Sequence, residues 1–183
     1  MSTIPIPHNL KLCFNVNSNE SNQNNVFGMM KCICGCDEFY IQYFGDLSKH
    51  FIEHYVLKTV LCDEEYVMCM KTICAKCKRK YTVFNSLTNG YDSFTRSNKK
   101  NIDLQSMKTF SCRKCKKDVF RIFITLEYLD KQDIMEDVGE DFELGNAFSW
   151  IAVDLECRSC FKKYYKFIEL NSRNKIKYVF ILK

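Results

Sequence analysis

The chain has 183 residues, 46% hydrophobic and 14% aromatic, enough for one or two domains with real cores. Two prolines and six glycines argue against a large disordered fraction, and no window approaches the roughly eighteen uninterrupted apolar residues of a membrane span. The net charge of +5 is mild for a nucleic-acid binder, and the compositional outlier is the set of twelve cysteines.

In chain order, the opening MSTIPIPHNLKL carries neither the basic nor the apolar region of a secretory signal. A reducing cytoplasm is therefore expected, where paired cysteines point to metal before disulfide. The stretch from Asn15 to Asn25 is polar enough to read as a mobile loop, so residues 1–26 form a partly mobile extension. The cluster Cys32-Ile33-Cys34-Gly35-Cys36 follows, then FYIQYF with the alternation of a strand. In DLSKHFIEHYVLK, His50 and His54 stand at i,i+4, which predicts a short helix with both imidazoles on one face. Glu53 is misplaced for H-E-x-x-H, so a helix face outweighs a metal site there. EEYVMCMKTI leads into Cys74 and Cys77 and YTVF leaves them, closing a first unit over 27–84. Asn89-Gly90 and RSNKKN mark a linker over 85–107.

The second unit, 108–183, opens with Cys112 and Cys115 and continues as VFRIFITLEY. Phe120, Ile122, Ile124, Leu126 and Tyr128 share one strand face. An acidic insertion over 127–146 follows, with Lys131 the only base between Glu127 and Glu143. Its Ile134, Met135, Val138, Phe142 and Leu144 predict a short amphipathic helix that packs on the unit or meets a partner. The partner surface would be Glu136, Asp137, Glu140, Asp141 and Phe142. It lacks the order of an EF-hand loop. Ile151, Val153 and Leu155 then alternate into Cys157 and Cys160, and YYKFIEL and KIKYVFIL alternate beyond them.

Three C-x-x-C pairs and the Cys32–Cys36 cluster make four half-sites, hence two tetrahedral centres. Sequential pairing joins Cys32 and Cys34 to Cys74 and Cys77, and Cys112 and Cys115 to Cys157 and Cys160. Gly35 favours Cys34 as the second ligand, but Cys32 with Cys36 and Cys34 with Cys36 stay open. At the position after the second cysteine, where knuckles commonly place glycine, Lys78, Lys116 and Phe161 stand instead, so those turns are strained or different in shape. A redox dithiol would want a βαβ setting, and strands flank every pair. Four thiolates leave no open position, so two structural Zn²⁺ ions are the expectation. Cys13, Cys62 and Cys69 have no partner at ligand spacing, and Cys69 reads as a buried small hydrophobe.

The expected fold is mainly β with minor α, two tandem zinc-ribbon modules on β-hairpins repeating at about 80 residues. The segments ICAKCKRKYTVFNSLTNGYDSF, FSCRKCKKDVF and FSWIAVDLECRSCFKKYYKFIE resemble a group of small uncharacterised bacterial tandem zinc-ribbon proteins, with Gly90-Tyr91-Asp92 and Phe94 as the shared turn. That resemblance implies two zinc sites and brings no activity. Lys76, Lys78, Arg79 and Lys80, then Arg113, Lys114, Lys116 and Lys117, then Arg158, Lys162, Lys163 and Lys166 border the knuckles. They offset thiolate charge or contact nucleic acid. With no catalytic motif present, the expected function is a non-enzymatic binding protein of the immunity or defence-adaptor type with a protein partner. The alternative is a nucleic-acid-binding ribbon related to transcription.

Overall fold

In a computed structural model, which describes residues 4–50, 54–62, 65–90, 106–138 and 143–171, the chain is mainly β. The strands are β1 (Phe14–Val16), β2 (Asn25–Met30), β3 (Phe39–Phe44), β4 (Asp46–His50), β5 (His54–Lys58), β6 (Val60–Cys62) and β7 (Glu65–Val67). They continue as β8 (Cys69–Cys74), β9 (Lys80–Asn85), β10 (Lys108–Phe110), β11 (Val119–Tyr128), β12 (Phe148–Cys157) and β13 (Lys163–Asn171). The one α-helix among the described residues is α1 (Lys131–Val138). None of the described helices is long and apolar enough to cross a membrane.

Alternation sets the strand faces. Phe120, Ile122, Ile124, Leu126 and Tyr128 of β11 are all buried, as are Ile151, Val153 and Leu155 of β12. Nine strands join in one antiparallel sheet, while β4–β5 and β6–β7 are separate hairpins.

The sheet contains the same unit twice. β3, β8 and β9 pair in sequence, and β11, β12 and β13 are their counterparts. The short strand that opens each unit crosses to the other one: β2 pairs with β11, and β10 pairs with β3. The registers match. Met29 lies opposite Phe123 and Thr109 lies opposite Gln42, which are equivalent positions counted from Cys32 and Cys112, and from Phe120 and Phe39. At the junction Phe39 faces Phe120, so an approximate two-fold axis passes between them. The halves also share one core. Phe110 of β10 packs on Phe120 at 5.2 Å and on Phe167 at 4.7 Å between ring centroids, and Tyr43 of β3 meets Phe167 edge-on at 6.4 Å. Burying each such phenylalanine contributes about 1.5–3 kcal/mol.

Two local expectations are corrected. The segment read as a helix around His50 and His54 is the hairpin β4–β5, in which those two histidines are cross-strand partners. Its packing decides the matter: Leu57 is buried, and Tyr55 meets Tyr164 of β13 at 6.4 Å. An i,i+4 spacing across a tight connection and one along a helix are the same number in sequence. The stretch from Asn15 to Asn25 likewise supplies β1, the start of β2 and their connection. Asn22 Oδ1 accepts the N–H groups of Asn24 and Asn25 at 2.9 Å, and Ser21 Oγ accepts that of Phe27 at 3.0 Å. Polar residues here replace missing backbone partners in side-chain-closed turns.

Helix α1 buries Ile134 against Ala147, with Leu129 and Leu144 beside them. Lys11 bonds to Glu143, and the N–H of His8 reaches Asn146 Oδ1 at 2.8 Å, so the insertion's far end is tied to the N-terminal segment. Most of the expected linker, the Tyr91, Asp92 and Phe94 turn residues and KIKYVFIL lie outside the described residues.

Candidate metal centre

Each knuckle sits where a strand ends. The N–H of Lys78 bonds the Cys74 carbonyl at 3.1 Å, Lys116 that of Cys112 at 2.8 Å, and Phe161 that of Cys157 at 2.9 Å. Cys74, Cys112 and Cys157 in turn donate to the carbonyls of Arg79, Lys117 and Lys162, closing each loop with a second bond. The first knuckle is the same turn with one residue fewer: Gly35 N–H bonds the Cys32 carbonyl and Cys32 N–H the Cys36 carbonyl, both at 2.8 Å. All four residues after the second cysteine are left-handed, Gly35 at φ +83°, Lys78 at 61°, Lys116 at 64° and Phe161 at 56°. The three non-glycine knuckles therefore keep the common shape and carry its strain.

The turns bring two sets of four thiols together, Cys32, Cys34, Cys74 and Cys77, and Cys112, Cys115, Cys157 and Cys160. In each set all sulfurs lie within 4.8 Å of one another. Individual separations are 3.4 Å for Cys32–Cys77, 3.6 Å for Cys34–Cys74, 3.6 Å for Cys112–Cys160 and 3.5 Å for Cys115–Cys157. A disulfide needs about 2.05 Å. A tetrahedron with metal–sulfur bonds of about 2.3 Å has edges of about 3.8 Å, so the spacing fits four thiolates around one metal ion. Cys36 stands outside, its Sγ turned to the Glu38 carbonyl, and Cys34 is the thiol of that turn that joins Cys32 in the cluster. Cys69 is fully buried in β8.

The electrostatics fit a cation. Burial opposes ionisation of Cys32, but the N–H of Cys34, the Tyr81 hydroxyl and the neighbouring thiols outweigh it and bring the thiol down to about 6. At Cys112 burial is likewise overcome, first by Tyr164 and then by the N–H groups of Cys115 and Lys114, again to about 6. Cys74 and Cys157 go the other way, to about 12, through burial and the adjoining thiols. Cys32 and Cys112 thus ionise readily while Cys74 and Cys157 resist. A divalent ion at the centre removes that resistance.

Strand register places the two clusters side by side. Cys74 faces Phe39, Phe39 faces Phe120, and Phe120 faces Cys157, so three strand spacings, roughly 15 Å, separate the two knuckle cysteines. The N–H of Ala75 bonds the Glu38 carbonyl at 2.9 Å, and at the equivalent place the N–H of Arg158 bonds the Val119 carbonyl at 3.0 Å. Arg158 Nε also meets Glu38 at 2.9 Å, and Arg121 Nε meets Asp37 at 2.8 Å, pinning one knuckle region to the other.

Of the residues expected to meet a partner, Glu136 is exposed on α1. The side chain of Asp137 and all of Glu140, Asp141 and Phe142 lie outside the described residues. Tyr81 and Tyr164 went unnoticed in the sequence although each stands four residues after the last cysteine of its centre, C-K-R-K-Y and C-F-K-K-Y. The Tyr81 hydroxyl lies 3.1 Å from Cys32 Sγ, and that of Tyr164 lies 3.2 Å from Cys112 Sγ.

No family model matches the chain, and neither a curated protein nor a solved structure shows significant similarity to it.

Proposed function

We propose that both clusters are structural zinc sites and that the chain is a non-enzymatic binding protein of the tandem zinc-ribbon kind. The observation that carries this reading is the convergence of four thiols from two knuckles at each centre. Four sulfurs in a tetrahedron suit zinc or a single iron, and a closed shell has no position for substrate or water. When bound, the ion would supply about 10–16 kcal/mol of folding free energy. The test is metal analysis of the purified chain: two colourless zinc ions per chain support the reading, and a red, iron-loaded protein contradicts it.

A protein partner is supported by hairpin β6–β7, which lies off the main sheet. Leu61 and Tyr66 are cross-strand neighbours there and stand 64% and 58% exposed. Tyrosine is one of the residue types that anchor interfaces, and Tyr66 stands exposed there beside an exposed leucine. Cross-linking in native cells with the Leu61→Asp, Tyr66→Asp double variant as control tests it. A protein captured by the wild type and lost in the variant supports the surface, and capture unaffected by both changes contradicts it. An immunity or defence role would follow from that partner's identity.

A nucleic-acid partner has one observation in its favour. Lys76, Arg79, Lys80, Lys114, Lys116 and Lys117 are exposed at the knuckles with no carboxylate partner among the described residues. Two zinc centres at about −2 each lower the formal +5 to about +1, which makes this the second reading. If it holds, binding to single-stranded DNA or RNA weakens steeply with salt, and no shift at low salt dismisses it.

A further inference from the structure

We infer that Tyr81 and Tyr164 are positioning residues of the two metal centres, each holding one thiolate of its centre by a hydroxyl hydrogen bond; this rests on the reading of the clusters as metal sites. The tyrosine comes from the strand that leaves the second knuckle and reaches the first cysteine of the opposite knuckle. The contact is 3.1 Å to Cys32 and 3.2 Å to Cys112. Both rings are buried.

The direction of the hydrogen bond is set locally. The N–H of Arg113 donates to the Tyr164 hydroxyl at 2.8 Å, and that hydroxyl in turn donates to Cys112 Sγ. A hydroxyl that accepts from a backbone N–H has its single proton left for another acceptor, and a thiolate is acceptor only. Ring orientation is set as well. Phe39 meets Tyr81 edge-on at 6.4 Å and 76°, and Phe120 meets Tyr164 at 6.2 Å and 71°. Phe39 and Phe120 are the pair that face each other at the pseudo-two-fold axis, so one ladder position orients both tyrosines. The same arrangement of hydroxyl, sulfur and phenylalanine occurs at both centres.

A hydrogen bond to a buried metal-bound sulfur draws charge from it. Loss of such an outer partner typically costs 10–100-fold in metal affinity. The full-length chain, its Tyr81→Phe and Tyr164→Phe variants and the double variant are titrated with cobalt(II), then competed with a chelator. Phenylalanine keeps the ring packing. The expected wild-type result is two cobalt ions per chain with intense sulfur-to-metal charge transfer. Each single variant shifts that band to longer wavelength and loses about 10–100-fold in affinity at one of the two equivalents, and the double variant does so at both. Tyr128→Phe is the control for a purely structural effect, because its buried hydroxyl donates to the Gly145 carbonyl at 3.0 Å and touches no sulfur; it leaves the band in place. Where a phenylalanine variant folds poorly, 3-fluorotyrosine at the same position, a stronger donor of similar size, moves the band to shorter wavelength. Wild-type bands and affinities in all variants overturn the inference alone. A wild-type chain that takes up no cobalt contradicts the metal reading, and the inference with it.

Discussion

Lys116 shows how much local strain one knuckle tolerates. Its φ of 64° puts a side chain where glycine is at ease, and the left-handed region costs a non-glycine residue roughly 1–2 kcal/mol. Glycine gives back about 0.4–1 kcal/mol through the freer unfolded chain. Lys116→Gly therefore raises the stability of the metal-loaded chain by about 0.5–1 kcal/mol, read from the urea midpoint; a lower midpoint contradicts the strain argument. Lys78 is a poorer test, because its Nζ bonds the Ala75 carbonyl at 2.8 Å and lies 4.8 Å from the Tyr40 ring. The five-residue cluster from Cys32 to Cys36 yields a second residue-scale prediction. Cys36→Ser keeps two metal ions per chain, whereas Cys34→Ser retains one; equal loss in both would mean that Cys36 also ligates.

At the scale of elements, hydrophobic alternation made β11 legible to the residue and β12 in its middle, since one face of each is buried along its whole length. Cysteine spacing made the convergence of Cys74 with Cys77, Cys112 with Cys115 and Cys157 with Cys160 legible, because a C-x-x-C turn is a local geometry, whereas the choice within Cys32–Cys36 needed the structure. The hairpin β4–β5 was not legible, since nothing local separates cross-strand partners from helix neighbours at that spacing. The tyrosines were legible in principle, as a repeated C-x-x-x-Y, but their role needs the opposite knuckle beside them. The crossed pairing of β2 with β11 and of β10 with β3 was hidden for a different reason. Partners as far apart as Met29 and Phe123, or Gln42 and Thr109, leave no period in the chain. A proline in place of Thr109 tests that pairing, because Thr109 lies opposite Gln42 of β3 and a proline ring, with fixed φ and no N–H, disrupts a strand ladder. The expected loss is a few kcal/mol in urea unfolding, with metal at the Cys32, Cys34, Cys74 and Cys77 cluster, on the other half, released more easily to a chelator. An effect confined to the Cys112, Cys115, Cys157 and Cys160 cluster would contradict the crossed arrangement.

For the whole molecule, the crossed strands and the shared Phe110, Phe120, Phe167 and Tyr43 core make each half part of the other's sheet. Fragments 1–90 and 106–183 are therefore expected to lack ordered structure when expressed singly and to recover β-structure and metal when expressed together, as far-UV circular dichroism and metal content would show. Independent folding of each fragment with its own ion would restore the picture of separate modules. Chelation of the intact chain should likewise unfold both halves in one transition.

The account rests most directly on the coordination of the metal. X-ray absorption at the zinc edge, on the full chain reconstituted with zinc and quantified per chain, should give two ions, each with four sulfur neighbours at about 2.3 Å and no oxygen or nitrogen. Fewer than two ions per chain, or a shell with a light-atom ligand in place of a sulfur, would contradict it.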